Sequence, residues 1–296
     1  MKRGYLKGLE LGRTIGVEVE GYSGMYYTMT TNRVRHSELK YDGSLNAFGR
    51  YQGLEVATIP MTQLDLLDEV FEDITKYKWH CGIRSDAGTH IHVDASDYLV
   101  EDRFKMAIFM QKIEKAMFLL VKKARYSKSK VVGHRNPYCR PIVGDWKSVW
   151  DNLKANYPTL DLKSYAKVNQ VKFVLARQFN ATIYIPETVR YQYVNIWSSS
   201  CPTIEFRLFH AIRTSRDAKL FSIIAHNIVE IVKNSTIEHL DYLADVIMNQ
   251  SVDSQDMIEK FSQAIGLEFT PKIYNKDLAR GIDRYKVASR QVLRAV

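Results

Sequence analysis

Several short stretches of this chain alternate strictly between apolar and ionisable residues. That period of two marks a strand with one buried face and one chemically loaded face. In Gly16-Val17-Glu18-Val19-Glu20 the valines share one side and the glutamates the other. In Thr89-His90-Ile91-His92-Val93-Asp94, Ile91 and Val93 oppose His90, His92 and Asp94. In Thr203-Ile204-Glu205-Phe206-Arg207-Leu208 the apolar residues oppose Glu205 and Arg207. Gly53 to Thr58 alternates in the same way around Glu55.

Taken singly, each pattern is what any sheet with a wet face displays. Together they suggest more. Two carboxylates about 7 Å apart on one face repel by roughly 2 kcal/mol at an effective dielectric near 20. Open water screens that repulsion, whereas a concave site does not. A divalent cation converts it into coordination. Oxygen ligands suit Mg²⁺, and a histidine in the set also admits Mn²⁺. An arginine two residues from a carboxylate places positive charge where phosphate oxygens gather.

The rest of the chain sets the frame. Strand patterns occupy the first hundred residues and return at about Arg190 to Trp197 and Thr203 to Phe209. Helices are expected from about Gln63 to Tyr77, with Pro60 near the start, and from about Glu101 to Ala124. After Ser215 the pattern is helical: Ala218 to Lys233, Ile237 to Met248, Ser254 to Ile265 and Asp277 to Val296. Strands first and helices last predict an α+β fold rather than βαβ winding. Residues 125 to 145 read as a long loop of the kind that carries function.

The 296 residues are expected to form a single catalytic domain, with a sheet-rich core over 1–214 and a helical region over 215–296. No apolar run is long enough to cross a bilayer, which excludes a membrane partner. Three widely spaced cysteines, Cys81, Cys139 and Cys201, suggest neither a zinc knuckle nor a disulfide framework and point to a reducing cytoplasm. A net charge of +9 favours anionic partners. Eight Lys or Arg and no acid lie between Lys115 and Gly144, and a second basic stretch runs from Arg280 to Arg294, so nucleic acid stands as a candidate partner. Trp79, Trp146, Trp150 and Trp197 read as core or rim aromatics.

These segments resemble the carboxylate–amine ligase superfamily that includes glutamine synthetase and glutamate–cysteine ligase. They are most similar to the amidoligase family of phages, bacteria and fungi. The matching elements are Gly16 to Glu20, Tyr41-Asp-Gly-Ser-Leu45, Gly53 to Pro60, Gly88 to Asp94, Arg190-Tyr191 with Asn195, and Thr203 to Arg207; Arg135 to Cys139 also looks like a family element. The resemblance implies a curved antiparallel sheet of glutamine-synthetase type, with helices on its outer face. It implies ATP and Mg²⁺ (or Mn²⁺) as cofactors, and small or macromolecular carboxylates and amines as substrates. For a phage-encoded member the location is the host cytoplasm.

Residue by residue, the resemblance assigns Glu18, His90 and Glu205 to one metal ion, near the γ-phosphate. It assigns Glu20 and Glu55 to a second ion, with Asp42 either as third ligand, as holder of the substrate amine or as cap of the Asp-Gly turn. Arg207 steadies the transferring phosphoryl group, so Arg207, Glu205 and Glu18 form the catalytic set. Arg190 and Asn195 lie near substrate or nucleotide, and Arg135 reaches ATP or the acid from the loop. His92 either orients a ligand or, like Asp94, takes the amine's proton.

Three other readings compete. A hydrolase would bind zinc through His90, His92 and Asp94, but leaves Glu18, Glu20, Glu205 and Arg207 without a task. A guanidino-kinase-like phosphotransferase would share the metal and arginine logic. A non-enzymatic protein would use the basic stretches to bind nucleic acid; a ligase acting on modified bases would combine both.

Overall fold

The computed structural model describes residues 6–23, 33–42, 45, 52–76, 87–122, 139–142, 144–158, 192–197 and 202–295, without the side chains of 287–295. These fall into two compact units, one of residues 1–94 with 205–227 and the other of 95–204 with 228–296.

Among the described residues seven strands are formed: β1 (Glu10–Ser23), β2 (Ser37–Tyr41), β3 (Gln52–Thr58), β4 (Met61–Gln63), β5 (Gly88–Asp94), β6 (Val194–Asn195) and β7 (Thr203–His210). The helices are α1 (Leu66–Lys76), α2 (Val100–Lys112), α3 (Glu114–Leu119), α4 (Trp146–Asn156), α5 (Ser215–Asn234), α6 (Ile237–Met248), α7 (Ser254–Ala264) and α8 (Lys276–Ala295). The fold class is α+β, with an open sheet whose β1–β3, β1–β4, β1–β5 and β2–β3 pairs are all antiparallel.

In the first unit the strand order is β2-β3-β1-β5-β7, with β4 beside β1. The apolar alternation fixes the register. Val17 faces Ile91 and Val19 faces Val56, all fully buried. A slip by one residue would turn these side chains to the opposite face, where the glutamates stand. Phe209 of β7 stacks on Phe221 of α5 with centroids 4.2 Å apart. The entry to β2 is clamped to α1: the Arg35 backbone N–H and Nε both donate to Asp73, and its guanidinium reaches Glu69 and Glu72. This anchorage holds Arg33 and His36 at positive φ, 48° and 53°, which non-glycine residues seldom adopt.

In the second unit Phe104 of α2 lies at the centre of Trp146, Trp150 and Trp197, with ring centroids 5.2–5.9 Å away. Helix starts carry side-chain caps: Asp145 accepts from Ser148 N–H, Thr236 from His239 N–H and Asp253 from Asp256 N–H.

Three expectations change. The helix expected from Gln63 begins at Leu66, because Met61 is drawn into pairing with Ile15 and residues 61–63 form β4 instead. The helix expected over 101–124 is two helices that meet at Ile113. The Tyr193 hydroxyl donates to the Met110 carbonyl at that joint, taking the acceptor that the next turn would use. The second piece ends where Leu119 O accepts from Tyr274 and Asn275 N–H. The strand expected over 190–197 is confined to Val194–Asn195, with Gln192 in an isolated parallel bridge to Arg140. Most of the 125–145 loop, with Arg135, lies outside the described residues, as does Arg190. No helix among the described residues is long and apolar enough to cross a membrane.

Candidate active site

The strand registers decide which ionisable groups meet. Glu18 stands opposite His90, and Glu20 stands opposite Glu55. The ends of the β2–β3 ladder show its phase: Ile59 N–H donates to His36 O, and Asp42 N–H donates to Gly53 O. Even-numbered residues of β2 therefore exchange backbone bonds with β3, and Glu55 directs its own backbone groups toward β2. Glu20 and Glu55 then form a non-hydrogen-bonded pair, the closer of the two antiparallel spacings.

Two clusters result. Glu18, His92 and Glu205 each offer a ligand atom, and these atoms lie within 4.8 Å of one another. Glu20, Asp42 and Glu55 do the same. His90 bridges the clusters. Its Nδ1 is 3.2 Å from Glu18 and 3.6 Å from Glu205, and its Nε2 is 3.5 Å from Glu20. His92 Nε2 lies 3.2 Å from the other Glu18 oxygen. Opposite His92 on β1 is Gly16.

Asp42 comes from outside the strands, in a turn seated by a close approach. A Cβ on Gly53 would lie 2.3 Å from Leu45 Cβ and 2.7 Å from Leu45 O. Only glycine lets Asp42 and Leu45 settle onto β3, where Leu45 N–H donates to Asp42 O and Asp42 N–H to Gly53 O. Glu20 is fixed from the other side by Gly88 N–H.

The electrostatics divide along the same line. Burial would raise the Glu18 carboxyl, but contacts with His90 and His92 outweigh it and hold Glu18 well below the usual carboxylate range. Burial would likewise lower His92, yet its bond to Glu18 and the charges of Glu18 and Glu205 raise it. Burial pushes the Glu55 carboxyl up to about 7, reinforced first by the charge of Glu18 and also by Glu20 and Asp42. Like charges directly opposite in a sheet destabilise it. Carboxylate oxygens with an imidazole, gathered in excess negative charge, fit hard divalent cations.

Arg207 stands beside the first cluster, donating to Glu205 two residues away on the same strand face. It is partly exposed.

Glu18, Glu20, Asp42, Glu55, His90, Glu205 and Arg207 are thus brought together on one sheet face. Asn195 lies half-buried on β6 in the second unit. His92 completes a three-residue cluster with Glu18 and Glu205, and His90 Nδ1 faces the same two carboxylates. The His-x-His spacing put both imidazoles on this face, but their reach depends on side-chain torsions that the spacing does not encode. His90, His92 and Asp94 form no such cluster among the described residues.

A family profile described as "Putative amidoligase enzyme" matches residues 11–228. The chain belongs to the amidoligase family. The match includes every residue of both clusters. Among curated proteins none matches it. A crystal structure of a bifunctional glutathione synthetase from Pasteurella multocida is similar to the amidoligase at 14% identity and a TM-score of 0.43, over 96% of this chain and 49% of that one. The amidoligase therefore spans about half the length of that protein.

Proposed function

We propose that this amidoligase joins a carboxylate to an amine at the expense of ATP, through an acyl phosphate. The observation that carries this reading is the pair of ligand clusters on one sheet face, bridged by His90 and flanked by Arg207.

A free carboxylate does not condense with an amine at neutral pH, because its oxygen is a poor leaving group. The substrate carboxylate attacks the γ-phosphorus of ATP, ADP departs, and a mixed anhydride forms. The amine then attacks the carbonyl carbon, the C–O bond breaks, and inorganic phosphate leaves. Phosphoryl transfer of this kind needs positioning and charge neutralisation more than covalent help. The two clusters would each hold a divalent cation, which would supply that neutralisation.

The chain's own groups do the rest. Glu18, His92 and Glu205 form one ligand set, and Glu20, Asp42 and Glu55 form the other. His90, wedged between Glu18, Glu20 and Glu205, keeps the two sets in fixed relation. Arg207, steadied by Glu205, presents its guanidinium to the phosphoryl group as negative charge moves from γ-phosphate to the leaving oxygen. The zinc-hydrolase reading loses ground because both histidines engage Glu18 while Asp94 joins neither cluster.

The test is release of inorganic phosphate from ATP with Mg²⁺ and pooled carboxylates and amines, comparing wild type with Glu205→Ala and Arg207→Ala. Both substitutions are expected to abolish turnover in folded protein. Full activity in Glu205→Ala, or cation-independent turnover in wild type, overturns the proposal.

A further inference from the structure

β2 is the last strand on its side of the sheet, so one of its edges faces away from β3. The ladder phase identifies the residues on that edge. Glu38 and Lys40 spend their backbone groups on β3, and Ser37, Leu39 and Tyr41 point theirs outward. Among the described residues nothing pairs with those outward N–H and C=O groups. Such an edge is a template for another strand unless something blocks it.

Here the side chains select one partner. Glu38 and Lys40 flank Leu39 and pair with each other at 3.4 Å, yet both stay largely exposed, at 75% and 48%, so each can also meet an opposite charge on a neighbouring strand. We propose that β2 is a homodimer edge, pairing antiparallel with β2 of a second copy, with Leu39 opposite Leu39. In that register Glu38 of each copy faces Lys40 of the other, twice over by the two-fold axis. Both charge pairs fall at non-hydrogen-bonded positions, where Cα atoms are about 4.5 Å apart and side chains meet. Leu39 exchanges both backbone bonds with its counterpart, and Ser37 does so with Tyr41. The alternatives are penalised. In-register parallel pairing sets Glu38 against Glu38 and Lys40 against Lys40. A one-residue slip turns Leu39 to the face of the charges.

The apolar surface agrees with this placement. Tyr41, the last residue of β2, is a large hydrophobic side chain left 61% exposed. Pairing lays Tyr41 against Ser37 of the second copy, on the face that carries Leu39. The association is isologous: it uses up the edge and closes at two copies. Glu38 and Leu39 belong to neither ligand cluster, and Lys40, which stands opposite Glu55, is changed only in the double exchange, so the association is read by sedimentation and not by activity.

Sedimentation velocity of the full chain over a concentration series tests it, with three variants. The expected result is a reversible dimer in wild type. Glu38→Lys turns two attractive contacts into two repulsive ones and raises the dissociation constant about tenfold or more. Glu38→Lys combined with Lys40→Glu restores the complementarity and the dimer. Leu39→Pro removes an outward N–H and no ladder bond to β3, so it yields a folded monomer. A wild-type monomer at every concentration overturns the proposal. So does a dimer that Glu38→Lys and Leu39→Pro leave intact, or one that the double exchange does not rescue.

Discussion

Glu20 and Glu55 stand directly opposite each other on β1 and β3, at the closer of the two antiparallel spacings, with Asp42 beside them. A sheet does not gain stability from such an arrangement; like charges across a strand pair cost about 0.2–1 kcal/mol. Glu55→Gln is therefore expected to leave the metal-free protein as stable as wild type or slightly more so. The same change should cut the thermal stabilisation that Mn²⁺ gives in the presence of ATP. Unfolding curves in chelator and in excess Mn²⁺ check both halves. Equal Mn²⁺ stabilisation of variant and wild type would remove Glu55 from the ligand set.

Gly53 makes a sharper case, because it offers no ligand atom itself and acts only through the seat it gives Asp42. Its missing side chain is the space into which Leu45 fits. In Gly53→Ala the backbone at Leu45 must lift, at a cost of about 1–3 kcal/mol for overpacking. Asp42 moves with it. The expected outcome is a folded enzyme with weaker affinity for the second cation and reduced turnover, part of which returns at high Mn²⁺. Titration of activity against Mn²⁺ concentration separates this from general destabilisation, which added cation would not reverse selectively.

In the second unit Asp102 accepts from Lys105, from Lys233 and from Leu99 N–H. Burial would raise its carboxyl, but those three partners outweigh burial and lower it. A carboxyl depressed in the folded state stabilises the protein above its unfolded value, about 3.9, and that contribution disappears as pH falls through the lower folded value. Asp102→Asn leaves two ammonium groups without their carboxylate and is expected to cost about 3 kcal/mol at neutral pH. Urea unfolding at several pH values should show the difference between variant and wild type shrinking below pH about 4.

The strands that carry the site were legible because burial on one face writes a period of two into the sequence. Glu18, Glu20, Glu55, His90, Glu205 and Arg207 could each be assigned a face from their neighbours alone. What joined them was less legible. That Glu18 meets His90 while Glu20 meets Glu55 follows from register, and register is set between strands far apart in the chain. β2 escaped notice because Ser37-Glu-Leu-Lys-Tyr41 is an edge strand with mostly exposed residues and one half-buried leucine. The break at Ile113 has no glycine or proline to announce it; its cause is a hydroxyl from Tyr193, eighty-three positions beyond Met110. The helices after Ser215 were read nearly to the residue, because their caps and apolar stripes are local.

Arg207 is held to Glu205 on its own strand, so its position does not depend on a bound ligand. That preorganisation separates its charge from its shape. Arg207→Lys keeps the charge but loses the planar fork that can engage a carboxylate and a phosphoryl oxygen together. With the lysine tied to Glu205, less positive charge reaches the transferring group. The expected outcome is a fall in kcat of about 10²-fold, the usual scale for removing one preorganised donor. The KM for ATP should change much less, since the cation clusters remain. Arg207→Ala should fall further in kcat, and Glu205, relieved of its partner, should bind cation no more weakly than before. Steady-state phosphate release with ATP varied at saturating Mg²⁺ gives the split. A rise in KM with kcat unchanged would place Arg207 in ground-state nucleotide binding rather than in the transfer step.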